Sequence, residues 1–325
     1  MNDNIELLLK QVSDEIKGIV PGGQPRELYE PVSYCLGLGG KRMRPLMTLL
    51  GCKLFGGDAQ NAMSAAIGLE LFHNFTLMHD DIMDNAPIRR GKPSVHIRWS
   101  ANTAILSGDV MFALAYQHMM GVDDIHLRPV LSLFNKTVLE VCEGQQYDMN
   151  FEALEHVSEG QYIEMIRLKT AVLPAACLKT GAIIANASEE DADHLYRFGE
   201  GVGIGFQIKD DWLDVFGDET TFGKKSGGDI VSNKKTWLYI KALEQAKGQQ
   251  RQLLLDAYAR KSTGPEEKIR KVKEVFLDLD IDKLALAEMD RYYKTAFEAL
   301  NLIQVGSEAK QDLILLANSL FSRTS

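Results

Sequence analysis

Apolar residues recur at helical spacing along almost the whole chain, and this pattern leaves an all-α fold as the expectation. Across 62–79, the residues Met63, Ile67, Leu69, Leu71, Phe72, Phe75, Leu77 and Met78 form a broad face rather than a period-two alternation. Similar patterns predict helices over roughly 45–55, 97–120, 126–149, 158–185, 189–217, 233–260, 264–300 and 307–322. No run reads as strands joined by a hairpin turn. The breaks are short and carry turn chemistry, as in Gly56-Gly57-Asp58, Gly121-Val122-Asp123-Asp124 and Ser262-Thr263-Gly264-Pro265. Asp58 and Ser188 are expected N-caps, and Pro265 sits where a first helical turn tolerates it. Only 217–229, with glycines at 217, 223, 227 and 228, lacks helical period, and it is expected to be a loop closing over a site. The expectation is a single all-α domain covering 1–325.

Charge and composition narrow the function. The 325 residues include 45 acidic and 36 basic ones, a formal net charge of −9, which argues against nucleic acid as a partner. No run of ~18 apolar residues is present, so no membrane span is expected. The start, Met1-Asn2-Asp3-Asn4-Ile5-Glu6, has neither a basic stretch nor an apolar signal core, and the expected compartment is the cytoplasm. Cys35, Cys52, Cys142 and Cys177 lack metal-type spacing and are expected as buried thiols.

Two acidic motifs stand out, Asp80-Asp81-Ile82-Met83-Asp84 and Asp210-Asp211-Trp212-Leu213-Asp214. Residues four apart on a helix project from one face, so Asp80 with Asp84, and Asp210 with Asp214, repel by roughly 0.2–0.5 kcal/mol per pair. A bound cation relieves that repulsion. Oxygen ligands too few to form a closed cage suit magnesium, which completes its shell with phosphate oxygens and water. Solvated acidic faces are the bland alternative. The apolar flanks Phe75-Thr76-Leu77-Met78 and Gly205-Phe206-Gln207-Ile208 argue against it.

Basic residues accompany the aspartates in a fixed order. Gly39-Gly40-Lys41-Arg42-Met43-Arg44-Pro45 comes first, then His73 and the first motif, then Arg89-Arg90-Gly91-Lys92-Pro93. Gly144-Gln145, Asp148, Lys169-Thr170 and Gly205-Phe206-Gln207 lead to the second motif, followed by Gly223-Lys224, Gly228-Asp229 and Lys234-Lys235-Thr236. In this order and over nearly its whole length, the chain resembles the trans-isoprenyl diphosphate synthases, the family of farnesyl and geranylgeranyl diphosphate synthases. The resemblance implies one large helical bundle of the isoprenoid synthase type with a central cavity. It implies that Lys41, Arg44, His73 and Arg90 hold the diphosphate of isopentenyl diphosphate without metal. Arg89, Lys169 and Lys224 are expected to grip the allylic diphosphate. Asp80, Asp81, Asp84, Asp210, Asp211 and Asp214 are expected around magnesium, with three ions when the allylic substrate is bound. The residue types fit, because Arg offers a fork and Lys a point charge to phosphate, and glycines let backbone approach a ligand. Either Lys234 or Lys235 could be the site lysine before Thr236; the family pattern favours Lys234.

The resemblance also implies a reaction. Isopentenyl diphosphate condenses head-to-tail with dimethylallyl, geranyl or farnesyl diphosphate, and magnesium at the aspartates neutralises the departing pyrophosphate. Asp80, Asp84, Asp210, Lys169, Thr170 and Gln207 form the expected catalytic set. Within it, Thr170, Gln207 and the Lys169 carbonyl are candidate dipoles facing the allylic cation. The departing pyrophosphate takes the final proton, since no dedicated base stands out. Phe75 and Thr76, five and four residues before Asp80, are the expected chain-length positions. An ideal helix puts Thr76 near the aspartate face and Phe75 well round from it. One aromatic there, with no two-residue insertion in the motif, points to fifteen or twenty carbons, with twenty favoured. The tail Phe321-Ser322-Arg323-Thr324-Ser325 holds one basic residue, unlike the basic tails that close some farnesyl-type sites. The rivals are a class I terpene cyclase and a non-catalytic regulatory subunit. A second DDxxD with Lys41, Arg44 and Arg90 argues against the first, and complete aspartate motifs against the second. A homodimer is the expected assembly.

Overall fold

The computed structural model describes residues 3–19, 23–217, 226–259 and 264–321. It is all-α, and two compact units divide the chain: Met1–Asn135 with Ala176–Leu195 and Gln304–Leu313, and Lys136–Ala175 with Tyr196–Ile303 and Ile314–Ser325. Among the described residues no helix is long and apolar enough to cross a membrane.

The first unit opens with α1 (Asp3–Gly18) and α2 (Arg26–Gly37), neither of which periodicity singled out. Ile5, Leu8, Val12 and Ile16 bury a proper helical stripe on α1, but exposed Leu7 beside it blurs the pattern. Next come α3 (Met43–Leu54) and the 25-residue α4 (Ala59–Met83). Asp58 caps α4 as expected, its carboxylate accepting the Gln60 N–H at 2.9 Å. Ala62, Ala65, Ala66, Ile67, Leu69, Leu71 and Phe72 are all buried, so the middle of α4 is a core helix without a polar face. It packs against α3 and α6 (Ala101–Met119). Gly68 permits the approach of α6, because a Cβ there would lie 2.9 Å from the Ala115 carbonyl oxygen.

Between α4 and α6 lie a short helix, α5 (Val95–Arg98), and a hairpin the sequence did not announce. Its strands, β1 (Ile88–Arg89) and β2 (Lys92–Pro93), pair antiparallel with Arg89 opposite Lys92. The two turn residues, Arg90 and Gly91, both have positive φ (52° and 73°), as a type I′ turn demands. Two residues per strand and a central Arg-Gly are too little signal for a strand prediction.

α7 (Asp124–Ala153) leads on to the second unit's α8 (Glu159–Ile166) and a π-helical turn at Arg167–Ala171; α9 (Val172–Ile184) belongs to the first unit from Ala176, and α10 (Glu189–Phe216) to the second from Tyr196. Ser188 caps α10 through the Asp191 N–H at 3.1 Å, again as expected. After the second aspartate motif come α11 (Gly228–Val231), α12 (Trp237–Gln245), α13 (Gly248–Tyr258), α14 (Pro265–Asp278), α15 (Ile281–Leu302) and α16 (Ser307–Phe321). The stretch predicted as one helix over 264–300 breaks at Asp280, whose φ of 52° no α-helix continues. The core of this unit gathers Tyr162, Ile166, Ile208, Trp237, Val272 and Phe276. Cys35, Cys52 and Cys177 are buried as expected, but Cys142 lies on the exposed face of α7.

Candidate active site

The first motif occupies the last turn of α4, with Asp84 as its C-cap and the Asp84 N–H bonded to the Asp80 carbonyl at 2.8 Å. A helix C-terminus carries partial negative charge, so carboxylates there are disfavoured twice, by one another and by the dipole. No basic residue of α4 offsets them in that turn. Asp84 is exposed, Asp80 is half-buried, and Asp81 is buried. Arg89, on β1, meets that buried carboxylate: its Nε donates to Asp81 Oδ1 at 3.0 Å, and its Nη2 donates to the same oxygen. Burial opposes the Arg89 charge, but the bond to Asp81 and the fields of Asp81, Asp80 and Asp84 raise its pKa. Arg89 and Asp81, expected on an allylic diphosphate and on magnesium, therefore engage each other.

Four guanidinium groups converge near the glycine loop, and only some have acid partners. Arg42, with φ 49°, is buried and bonds Glu70 at 2.7 Å and the Leu36 carbonyl at 2.6 Å. Glu70 also accepts from Asn74, so the buried pair is hydrogen-bonded on both sides. The sequence reading passed over Arg42, Glu70 and Asn74, because their contacts span 28 residues or four helix positions within an apolar run. Arg44 meets no carboxylate among the described residues; its Nη1 donates to His73 Nε2 at 2.9 Å. Arg44 Nε is buried without an acceptor. Since Arg can only donate, His73 is a neutral acceptor here. Burial, then the charges of Arg44, Arg90, Arg89 and Arg42, holds its pKa well below the ordinary imidazole value. Arg90 donates to the Gly39 carbonyl and lies against Gly40, where a Cβ would sit 2.7 Å from the guanidinium carbon. Lys41 is exposed in the same loop. This surplus of positive charge, with a buried donor lacking an acceptor, suits a multiply charged anion.

Phe75 and Thr76 lie one turn below the first motif. Thr76 Oγ1 donates to the His73 carbonyl at 2.8 Å. Phe75 stacks on Phe112 of α6 at 5.0 Å, with Phe72 at 5.8 Å. Tyr116 and Phe134 extend the aromatic layer. Phe112 had no signature in the sequence, because its contact with Phe75 depends on how α4 crosses α6.

In the second unit a cavity of about 120 Å³ brings together Lys169, Thr170, Gln207, Asp211 and Lys234, all named from sequence. Lys169 and Thr170 sit in the π-helical turn, a distortion that commonly marks functional positions. Gly144 of α7 faces the Lys169 backbone with no room for a side chain. Lys169 pairs with Asp148 at 2.5 Å, and Thr170 Oγ1 donates to Gln207 Oε1 at 3.2 Å. Asp211 is buried and accepts from Tyr162 Oη, Gln207 Nε2 (3.2 Å) and the Trp237 N–H (3.3 Å). Burial, then the nearby Asp229 charge, pushes its carboxyl up to about 8. Asp214 Oδ2 accepts the Asp229 N–H at 3.0 Å. Lys235 donates to the Phe151 carbonyl at 2.7 Å, closing the end of α7, which separates its role from that of Lys234. Tyr162 and Asp229 were not named as site residues from sequence. Lys224, Gly223 and the tail beyond Phe321 lie outside the described residues.

The two motifs thus repeat one local plan. The middle aspartate, a helical step of about 100° from the first, turns into the protein, to Arg89 in one case and Tyr162 in the other. Of the six aspartates expected around magnesium, Asp81 and Asp211 are engaged by protein side chains. Among the described residues, no three His, Cys, Asp or Glu side chains form a closed metal site. An incomplete, all-oxygen ligand set fits magnesium that shares its shell with substrate.

Residues 25–276 match the family model described as polyprenyl synthetase. The chain is 38% identical over 308 residues to geranylgeranyl diphosphate synthase from Sulfolobus acidocaldarius, covering 93% of this chain and 92% of that one. It is 36% identical over 252 residues to geranylfarnesyl diphosphate synthase from Natronomonas pharaonis, covering 72% and 74%. The crystal structure of geranylgeranyl pyrophosphate synthetase from Pyrococcus horikoshii Ot3 superposes with a TM-score of 0.92 at 35% identity, over 98% and 97% of the two chains.

Proposed function

The chain belongs to the polyprenyl synthetase family, and from that premise we propose which of its residues carry the prenyl elongation that this transferase performs. The reading is a condensation of isopentenyl diphosphate with an allylic diphosphate to a twenty-carbon prenyl diphosphate and pyrophosphate, within one domain spanning 1–325. The carrying observations are an incomplete carboxylate set in each unit and, in the first, the Arg44 and Arg90 guanidiniums, which bond no carboxylate among the described residues. Neither a cyclase nor a regulatory subunit is favoured, since the relatives named above are synthases.

Arg44, His73, Arg90 and Lys41 bind the isopentenyl diphosphate. The neutral His73 ring keeps Nδ1–H as a donor while Nε2 accepts from Arg44. Asp80, Asp84, Asp210 and Asp214 hold magnesium, three ions with the allylic substrate bound, and Asp81 and Asp211 orient their motifs. Bound magnesium supplies Lewis-acid neutralisation of the allylic diphosphate and of the pyrophosphate that leaves. Lys169, Lys224 and Lys234 contribute further positive charge to the leaving group. Thr170 and Gln207, locked together at 3.2 Å, present fixed dipoles where the allylic cation forms. The working form is a homodimer.

The test is product analysis with isopentenyl diphosphate and, separately, dimethylallyl, geranyl and farnesyl diphosphates. Elongation of all three to geranylgeranyl diphosphate is expected, with Asp80→Ala and Asp210→Ala each lowering kcat by about 10³-fold or more. A product of another length refutes the twenty-carbon assignment, and near-normal rates in either variant refute the metal assignment.

A further inference from the structure

Nothing so far explains what holds the short segment after the second motif in place. The short helix Gly228–Val231 closes its Gly228, Asp229 and Ile230 carbonyls through the Ser232, Lys234 and Asn233 N–H groups. Its last two carbonyls, those of Ile230 and Val231, also receive a donor from another element. Lys268, buried on α14, donates through Nζ to the Ile230 carbonyl, to the Val231 carbonyl at 3.4 Å and to Asn233 Oδ1 at 2.5 Å. Asn233 has a φ of 59°, so the chain turns sharply there. The turn is tied to the motif at its other end. The Gly227 N–H bonds the Asp214 carbonyl at 2.6 Å, the Asp229 N–H bonds Asp214 Oδ2 at 3.0 Å, and the Lys234 N–H bonds the Asp229 carbonyl at 2.9 Å. Ile269, next to Lys268, fills the space against Gly227, where a Cβ would lie 2.7 Å from it.

We propose that Lys268 is a positioning residue for prenyl transfer: by bonding the α11 carbonyls and Asn233, it fixes the turn that sets Asp214, Asp229 and Lys234. This rests on the reading that Asp214 serves magnesium. Lys268 lines neither the cavity nor the motif, yet among the described residues its ammonium hydrogen-bonds only Ile230, Val231 and Asn233. A cation at a helix C-terminus is favourable in itself, and partners behind metal ligands tune affinity by about 10- to 100-fold. The Lys268 stem also packs towards Tyr258, with Nζ 5.0 Å from the ring centroid, which limits where the ammonium can go.

Lys268→Met keeps the stem and removes the donor. In steady-state assays it is expected to raise the magnesium concentration for half-maximal rate by about tenfold and to lower kcat about tenfold. KM for isopentenyl diphosphate stays within about twofold, because Arg44, His73 and Arg90 are untouched, and Lys268→Arg recovers most of the loss. In metal-free protein, hydrogen exchange at the Asp229 and Lys234 amides speeds up while that of buried α14 amides does not. Unchanged exchange at those two amides, or a magnesium curve within twofold of the parent, overturns the proposal; so does activity lost only in proportion to unfolded protein. If Lys268→Met does not fold, Asn233→Gly decides, since it keeps the turn and removes one acceptor; an unmoved magnesium curve there also overturns it. Asp214→Ala separates the two readings: an unmoved magnesium curve refutes the metal assignment, and a moved one beside an unmoved Lys268→Met curve refutes only the role of Lys268.

Discussion

His73 illustrates how much one side chain can owe to its surroundings. It is desolvated and faces Arg44, so the folded protein resists its protonation. The unfolded chain takes up that proton near the ordinary value of 6.5. Stability from this residue is therefore complete above pH 6.5 and declines as pH falls below it, by up to ~1.4 kcal/mol per unit. Denaturant titrations at pH 7.5 and 5.5 should show the His73→Gln variant losing about 1 kcal/mol less than the parent. Equal losses would show that His73 does not carry this dependence. Asp80 and Asp84 could be singled out because their spacing is local, and Arg44 and Arg90 because they stand in the short motifs that carry the family resemblance. The family pattern favours Lys234, but that Lys235 is engaged by the Phe151 carbonyl, 84 residues away, is nothing local sequence contains.

At the scale of elements, caps were readable and distortions were not. Asp58 and Ser188 act within their own first turns, so local sequence contains the whole interaction. The π-helical turn at Arg167–Ala171 has an ordinary helical sequence, and it becomes intelligible only beside Gly144. The aromatic layer shared by α4 and α6 has a direct consequence for product length. Phe75 is backed by Phe112, so its removal opens space for about one more five-carbon unit before the next ring is met. Phe75→Ala should give a twenty-five-carbon product, and Phe75→Ala with Phe112→Ala longer ones, read by chromatography of the dephosphorylated alcohols. If the double variant made the same product as the single one, Phe112 would have no part in the floor.

At the scale of the molecule, the helical class was legible because burial needs one side of nearly every helix. What helices leave outside is equally informative. Leu106 on α6 is 57% exposed and Ile125 on α7 is 75% exposed, both in the first unit. Large apolar side chains in such numbers are the material of subunit interfaces. Light scattering should give twice the chain mass, and Leu106→Glu with Ile125→Glu should shift it towards one chain. An unshifted dimer would place the interface elsewhere. The first helices escaped sequence reading because their stripes are diluted by residues such as Leu7, which contribute apolarity without burial.

The contact between Arg90 and Gly40 carries a consequence for how such a chain can drift. A side chain at Gly40 would strike the far end of Arg90, which can swing aside at little energetic cost. Gly40 also has a φ of 130°, which residues with a side chain rarely adopt, so a substitution strains the backbone as well as displacing Arg90. A side chain at Gly40 is therefore opposed twice, and shortening the residue at position 90 relieves only the clash.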